Sequence, residues 1–373
     1  MLYTAKPLDR DEKAVLERIE QLRREIGAYQ STRRWFGVLR RNTFARAIRG
    51  SNTIEGINVT VDDAMAAVER EEPLEAKTEA WAAIAGYRDA MTYVLQRAGD
   101  PHFSYSTELI NSLHFMMLGY DLAHNPGRWR PGAVFVRNEQ TDERVYEGPD
   151  AEIMPGLMIE LIDSFNQDDD EPGIIRAAMA HLNLVLIHPF SDGNGRMARC
   201  LQSLMLARGW GSLNPVFLNI EEYLGRNTDD YYEVLANVGG GSWQPGRETK
   251  PWVRFCLTAH FRQATTLRRR AEYFRQLFDA AEAEVTGLGL NERMTVAVAE
   301  AAMGYRIRNA TYRKGADVSD SLASRDLKSL VEADFLVPKG EKRGRFYVAS
   351  PRTSTIADRV PRPQQAGDPF SLC

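Results

Sequence analysis

The chain has 373 residues, 43% hydrophobic and 26% charged, with a formal net charge of −4. That balance is ordinary for a globular protein with room for two or three domains, and it gives no general attraction to nucleic acid or to an anionic membrane. Cys200, Cys256 and Cys373 show no paired spacing, which argues against a disulfide framework or a zinc site. No basic-plus-apolar leader and no membrane-spanning apolar run occurs, so a cytoplasmic protein without membrane contact is expected.

Taken in chain order, residues 9–29 carry Leu16, Ile19, Leu22 and Ile26 at helical spacing, which predicts an amphipathic helix. Next comes Ser51-Asn52-Thr53-Ile54-Glu55-Gly56. On a helix Ser51 and Glu55, at i and i+4, project from one face; alternatively Asn52 and Glu55 make a capping box that opens a helix. Trp81, Ile84, Tyr87, Met91 and Leu95 repeat the helical period, and residues 109–118 continue it to a stop at Gly119. Residues 126–132 read as loop, after which the period changes: 133–137 and 144–147 are short β-like runs around a polar tip, 138–143, and predict a hairpin. Residues 166–173 form an acidic surface turn to which no function is assigned.

The chemistry concentrates after the apolar run 174–187, which predicts a helix. Pro189 disfavours the right-handed helical conformation at His188, so the helix stops there and leaves the imidazole at a chain reversal, where it can act as a base near neutral pH. Phe190 anchors the loop in the core. Gly193-Asn194-Gly195 offers backbone able to take left-handed φ values, so that successive N–H groups form an anion nest. A second helix, expected over 196–208, turns its positive N-terminus on the same anion. Arg196 and Arg199 lie on one face of it, each able to give paired hydrogen bonds to phosphate oxygens. Asp192 suits a Mg²⁺ ion bridging those phosphates, because Mg²⁺ prefers few carboxylates plus substrate oxygens.

Beyond this segment, residues 219–224 and 229–235 carry aromatic side chains, among them Tyr231 and Tyr232, which on the residues alone read as core. Gly239 to Ser242 marks a flexible break, and Pro251 suits the first turn of a long helix running to about residue 285, with Arg268 to Arg270 on a solvated face. Residues 309–314 and 319–332 predict two short helices, followed by strands at 335–337 and 345–348 flanking the turn 339–344. The Pro-rich end, 351–373, is expected to be disordered.

Residues 188–199, His-Pro-Phe-Ser-Asp-Gly-Asn-Gly-Arg-Met-Ala-Arg, resemble the signature of Fic-domain proteins, and every fixed position of that signature is met. The resemblance implies a mainly α-helical fold, a Fic helical core with a small β-hairpin flap that aligns a target segment. It also implies AMP transfer from ATP to a Ser, Thr or Tyr hydroxyl of a target protein or of the chain itself. It further implies His188 as base, Asp192 on Mg²⁺, Asn194 and Arg196 on the α- and β-phosphates, and Arg199 on the γ-phosphate. Gly195 places the chain with AMP-transferring members rather than the kinase-like branch, which usually carries Lys there. Ser51 to Gly56 resembles the inhibitory motif of autoinhibited members, so Glu55 is expected to pair with Arg199 and occupy the place the γ-phosphate needs. Tyr231 or Tyr232 would contact adenosine.

The C-terminal elements resemble a winged-helix (α+β) domain. Ser324, Arg325, Lys328, Lys342, Arg343 and Arg345 are its candidate contact residues, and protein docking or dimerisation is favoured over DNA because the chain is acidic. The expected organisation is an N-terminal helical region, 1–100, a catalytic core, 101–240, a linking helix, 241–290, the winged helix, 291–350, and the tail. Two other readings stay open: removal of AMP, or a related nucleotide-dependent transfer, with Glu55 orienting a water; and a transcription regulator whose Fic part senses nucleotide.

Overall fold

The apolar periodicities become packed helices in the computed structural model, which describes residues 1–29, 34–137, 141–167, 170–209, 214–341, 344–361 and 366–372. The N-terminal region comprises α1 (Arg10–Ala28), α2 (Arg34–Ile54), α3 (Val61–Glu69), α4 (Thr78–Arg97) and α5 (Thr107–Leu118). Asp9 opens α1 with a capping box: its side chain accepts from the Glu12 N–H while the Glu12 carboxylate accepts from the Asp9 N–H. Then come β1 (Phe135–Arg137) and β2 (Arg144–Glu147), followed by α6 (Met154–Phe165), α7 (Gly173–Ile187), α8 (Asn194–Gly209), α9 (Glu221–Leu224), α10 (Thr228–Gly239) and the long α11 (Lys250–Gly287). The C-terminal part holds α12 (Thr295–Ala302), α13 (Asn309–Ala316), α14 (Asp320–Glu332), β3 (Leu336–Lys339), β4 (Phe346–Ala349) and α15 (Pro351–Asp358).

The core explains why α7 is apolar nearly all round. Ile175, Met179, Leu182 and Leu186 join a cluster built on α1, α11 and the C-terminal helices, whereas Ala180, Leu184 and Ile187 join a second cluster of α4, α5, α6 and α8. A helix buried on both sides has no polar face to show. Trp252 ties α11 to it by an indole N–H donated to Ala178 O at 2.8 Å.

The hairpin is antiparallel, pairing Phe135 with Glu147 and Val136 with Tyr146, with an irregularity before Arg137. The Tyr146 hydroxyl donates to Leu186 O at 2.9 Å and anchors it beside the end of α7. Part of its expected tip, Asn138 to Gln140, lies outside the described residues, as do Asp168 and Asp169 of the acidic turn, and Lys342, Arg343 and Cys373.

Two expectations need correction near the C-terminus. The two helices anticipated there are preceded by a third, α12, whose Val296 to Ala299 are buried on every side and so show no amphipathic period. The tail is not a disordered stretch throughout. Ser350 caps α15 by accepting the Thr353 N–H, Pro351 occupies its first turn, and Ile356 and Ala357 bury against the domain. A good N-cap followed by proline starts a helix, a signal that a Pro-rich composition conceals.

One crossing positions everything below. At Gly50 of α2, an added Cβ would stand 2.3 Å from Glu221 O, and at Gly225 it would stand 2.6 Å from Gly50 Cα. Backbone therefore meets backbone where α2 passes α9. Gly50→Ala is expected to lower the unfolding free energy by about 1–3 kcal/mol through overpacking, measured as a fall in denaturation midpoint. An unchanged midpoint would show that the crossing yields freely.

Candidate functional site

The site begins where α7 ends. His188 takes φ 53° and ψ 58°, the left-handed conformation, and closes the helix by donating its N–H to Leu184 O at 3.0 Å. Proline at 189 disfavours the right-handed alternative, in line with the sequence reading. His188 Nδ1 lies 3.0 Å from Val185 O. A carbonyl can only accept, so Nδ1 carries the proton and Nε2 keeps its lone pair. Burial lowers the His188 pKa from its usual value, against the opposing pull of that hydrogen bond, so the neutral imidazole persists into mildly acid solution.

Two residues that the sequence reading missed hold the loop in place. Arg130 donates from Nε to His188 O and from its backbone N–H to Pro189 O, both at 2.8 Å, while its other nitrogens reach Gly132 O and Pro149 O. His114 is fully buried and stacks on Phe190 with centroids 3.7 Å apart. Its Nδ1 accepts the Gly127 N–H at 2.8 Å, which leaves Nε2–H to donate to Asp192 O at 2.9 Å. A loop arginine and a histidine on a helix carry no local pattern that would have identified either.

The anion nest is narrower than the three residues expected. Only Gly193 has positive φ, at 75°, and a Cβ there would strike Leu118 Cδ1 at 2.4 Å. Asn194 and Gly195 are already the first turn of α8. The first intrahelical bond runs from Met197 N to Gly193 O, so the N–H groups of Asn194, Gly195 and Arg196 have no acceptor within the helix. The Asn194 side chain is spent on the loop itself: Oδ1 accepts the Phe190 N–H and Nδ2 donates to Phe190 O, both at 2.9 Å. Asn194 thus braces the turn with its side chain, which leaves only its backbone N–H for the expected phosphate contact.

Arg196 and Arg199 both point inward and are buried. Arg196 reaches Asp192 Oδ2 and the Tyr120 hydroxyl, each at 3.4 Å, and its Nε finds no acceptor. Arg199 donates from Nε to Ser51 Oγ at 2.8 Å and from Nη2 to Ser51 O at 3.0 Å and Glu55 Oε1 at 2.5 Å, while Nη1 has no acceptor. Burial opposes the Arg199 charge most strongly, but Glu55, Tyr231 and Tyr87 together outweigh it and hold the pKa above the usual value. Buried N–H groups without partners are costly. Two of them beside a helix N-terminus fit a polyphosphate such as that of ATP. Among the described residues no group of three or more His, Cys, Asp or Glu side chains could hold a metal ion. Asp192, a single carboxylate 42% exposed at the mouth of this anion site, does fit Mg²⁺ bound mainly by substrate oxygens.

Ser51 and Glu55 come from the end of α2, and the capping-box alternative fails because that helix finishes at Ile54 and Asn52 Nδ2 donates back to Ile48 O. The Glu55 side chain is 22% exposed. Its carboxylate sits at the negative end of α2 yet against the positive end of α8, where Gly195 makes room: a Cβ there would lie 2.6 Å from Glu55 Oε1. The two tyrosines part company. Tyr231 is 1% exposed with its hydroxyl 2.9 Å from His181 Nε2, so it is a core residue and is not placed to stack on adenosine. Tyr232, 47% exposed, donates to Ile54 O at 3.1 Å and pins the end of α2.

Residues 104–206 match the family model described as Fic/DOC family. A protein adenylyltransferase Fic of Nematostella vectensis is 29% identical over 218 residues, covering 58% of this chain and 46% of the relative. One of Aedes aegypti is 26% identical over 254 residues, covering 68% and 47%. The chain therefore spans less than half the length of these curated relatives. Among solved structures, a Fic family protein from Desulfovibrio desulfuricans matches with a TM-score of 0.57 at 22% identity, covering 94% of this chain and 99% of that one. Fic-1 from Caenorhabditis elegans matches with the same score and identity, covering 70% and 73%. These likenesses establish the fold as mainly helical with a small antiparallel hairpin.

An NMR titration of the His188 imidazole is expected to give a midpoint below the ordinary value of about 6.5, because burial disfavours the charged form. A midpoint at or above that value would contradict the assigned environment.

Proposed function

From the premise that residues 104–206 form a Fic domain, we propose that the chain is a protein adenylyltransferase, moving AMP from ATP to a Ser, Thr or Tyr hydroxyl of a target protein, and that Glu55 restrains it. The observation that carries this reading is one arrangement: a neutral imidazole, a helix N-terminus and two buried arginines with unpartnered N–H groups converge, and a carboxylate from a distant helix contacts one of those arginines.

His188 Nε2 takes the proton of the target hydroxyl as its oxygen attacks the α-phosphorus. The bond from the α-phosphorus to the bridging oxygen breaks, and pyrophosphate leaves with that electron pair. Arg196, Arg199 and the free N–H groups of α8 hold the charge that gathers on it. Mg²⁺, held by Asp192, would neutralise phosphate charge. The outer edge of β1 offers unpaired backbone for a target segment, a mode that reads side chains weakly. Self-modification needs only a hydroxyl of this chain in the target's place.

Glu55 occupies acceptor space on Arg199 that a γ-phosphate would use. One charge-assisted hydrogen bond is worth about 1.5–3 kcal/mol, so its removal is worth roughly tenfold to a hundredfold in productive ATP binding. The partly exposed carboxylate also supports a second reading, in which it orients a water for removal of AMP. The C-terminal helices and hairpin are read as a winged helix used for protein docking or dimerisation; DNA contact is less favoured.

Incubation with Mg²⁺ and ATP labelled at the α-phosphate is expected to leave wild type faintly labelled, Glu55→Gly labelled at least tenfold more, and Glu55→Gly/His188→Ala unlabelled. Label loss from a pre-modified target with wild type alone would favour the second reading. Label persisting without His188 would overturn the first.

A further inference from the structure

The helix that follows Glu55 is gripped by the far end of the chain. Residues 56–60 connect Glu55 to α3, and that short link is itself tied back, Arg49 Nε donating to Val59 O at 2.8 Å. Along α3 and the turn after it lie Asp62, Glu69, Glu71 and Glu75, and opposite them the C-terminal domain presents Arg306, Arg308 and Lys314. Arg306 pairs with Asp62 at 3.4 Å and Glu75 at 2.5 Å; Arg308 pairs with Glu71 at 3.4 Å and donates to Glu72 O at 2.7 Å; Lys314 pairs with Glu69 at 3.2 Å.

The grip reaches α2 as well. Arg41 bridges Glu69 of α3 and Glu300 of α12, each at 3.0 Å, and Tyr305 accepts hydrogen bonds from Asn42 and Arg46. Several of these charges are substantially buried, Glu300 at 2% exposure and Glu69 at 9%. Salt screens such pairs less than surface ones, and breaking them leaves charges uncompensated. The contact is nevertheless not a sealed core: a cavity of about 20 Å³, room for a single water, lies within it, lined by Asp62, Glu300, Tyr305 and Arg306 among others. Two rows of opposite charge thus face each other around that small void, and they join α3 and α2 to the C-terminal helices beside the shared apolar core.

We propose that the C-terminal domain is a second determinant of the Glu55 restraint: its cationic row on α3 holds the end of α2 in the position that pairs Glu55 with Arg199, so that drawing this domain away relaxes the restraint. The inference rests on the reading of Glu55 as a brake. It assigns the C-terminal domain a regulatory input that nothing within the catalytic loop would reveal.

The test uses the full chain and the label assay above. Arg308→Glu and, separately, Lys314→Glu are expected to raise the basal rate by about 2- to 30-fold, the span of a typical coupling between sites. Adding Glu71→Arg to Arg308→Glu restores the pair with reversed polarity and is expected to return the rate toward wild type. In a Glu55→Gly background neither substitution should change the rate. Should Glu55→Gly exceed wild type while Arg308→Glu and Lys314→Glu do not, this proposal falls and the brake stands. Should Glu55→Gly itself be no faster, the brake reading falls and this proposal with it. A rate altered by the two substitutions in the Glu55→Gly background would show that they act on the catalytic site directly, which also overturns it.

Discussion

A buried guanidinium must be answered by an acceptor, and in this protein Arg199 meets that demand from a helix distant in the chain. Its side chain is fully enclosed and bonds to Ser51 and Glu55 at the end of α2. That contact joins the first turns of α8 to the end of α2. Removing an acceptor from a buried cation is costly. The pocket is therefore stable with Glu55 in place, and a phosphate anion is a natural substitute for it. On the proposed function, one charge would serve two competing acceptors, and restraint would follow from the competition.

The surrounding fold makes the contact accurate. Gly195 gives the carboxylate room, Gly50 and Gly225 let α2 lie directly on α9, and Tyr232 caps the final turn of α2 through Ile54 O. On the other side of the site, Arg130, His114 and Asn194 fasten the loop through its own carbonyl and amide groups, and the Val185 carbonyl selects the His188 tautomer. For the proposed reaction, rigid support of this kind would align the base and the anion site before any nucleotide arrives. Under the proposed function, catalysis and restraint would share one set of constraints, and the proposed role of the C-terminal ion pairs would extend that set beyond the core.

Much of this was legible in the sequence, where chemistry and geometry were local. Proline after His188 dictated the helix stop, the spacing of Arg196 and Arg199 put both on one face, and the i, i+4 spacing of Ser51 and Glu55 brought both to Arg199. Legibility failed where a side chain's role depends on distant partners. Arg130 and His114 act through carbonyls and amides that only folding brings near, and Asn194 turned inward to its own loop. Tyr231 and Tyr232 are adjacent in sequence, yet one faces His181 in the core and the other the end of α2; no periodicity separates them. Helix α12, buried all round, lacks the amphipathic stripe that reveals a helix, and α15 was hidden by the composition of its segment.

The most direct measurement is the affinity of wild type and Glu55→Gly for ATP and for ADP, taken side by side by calorimetry. Competition for Arg199 predicts that the substitution tightens ATP by roughly tenfold to a hundredfold and changes ADP much less, because only ATP carries the third phosphate. Equal gains for the two nucleotides, or no gain for either, would contradict the claim that Glu55 holds the place of the γ-phosphate.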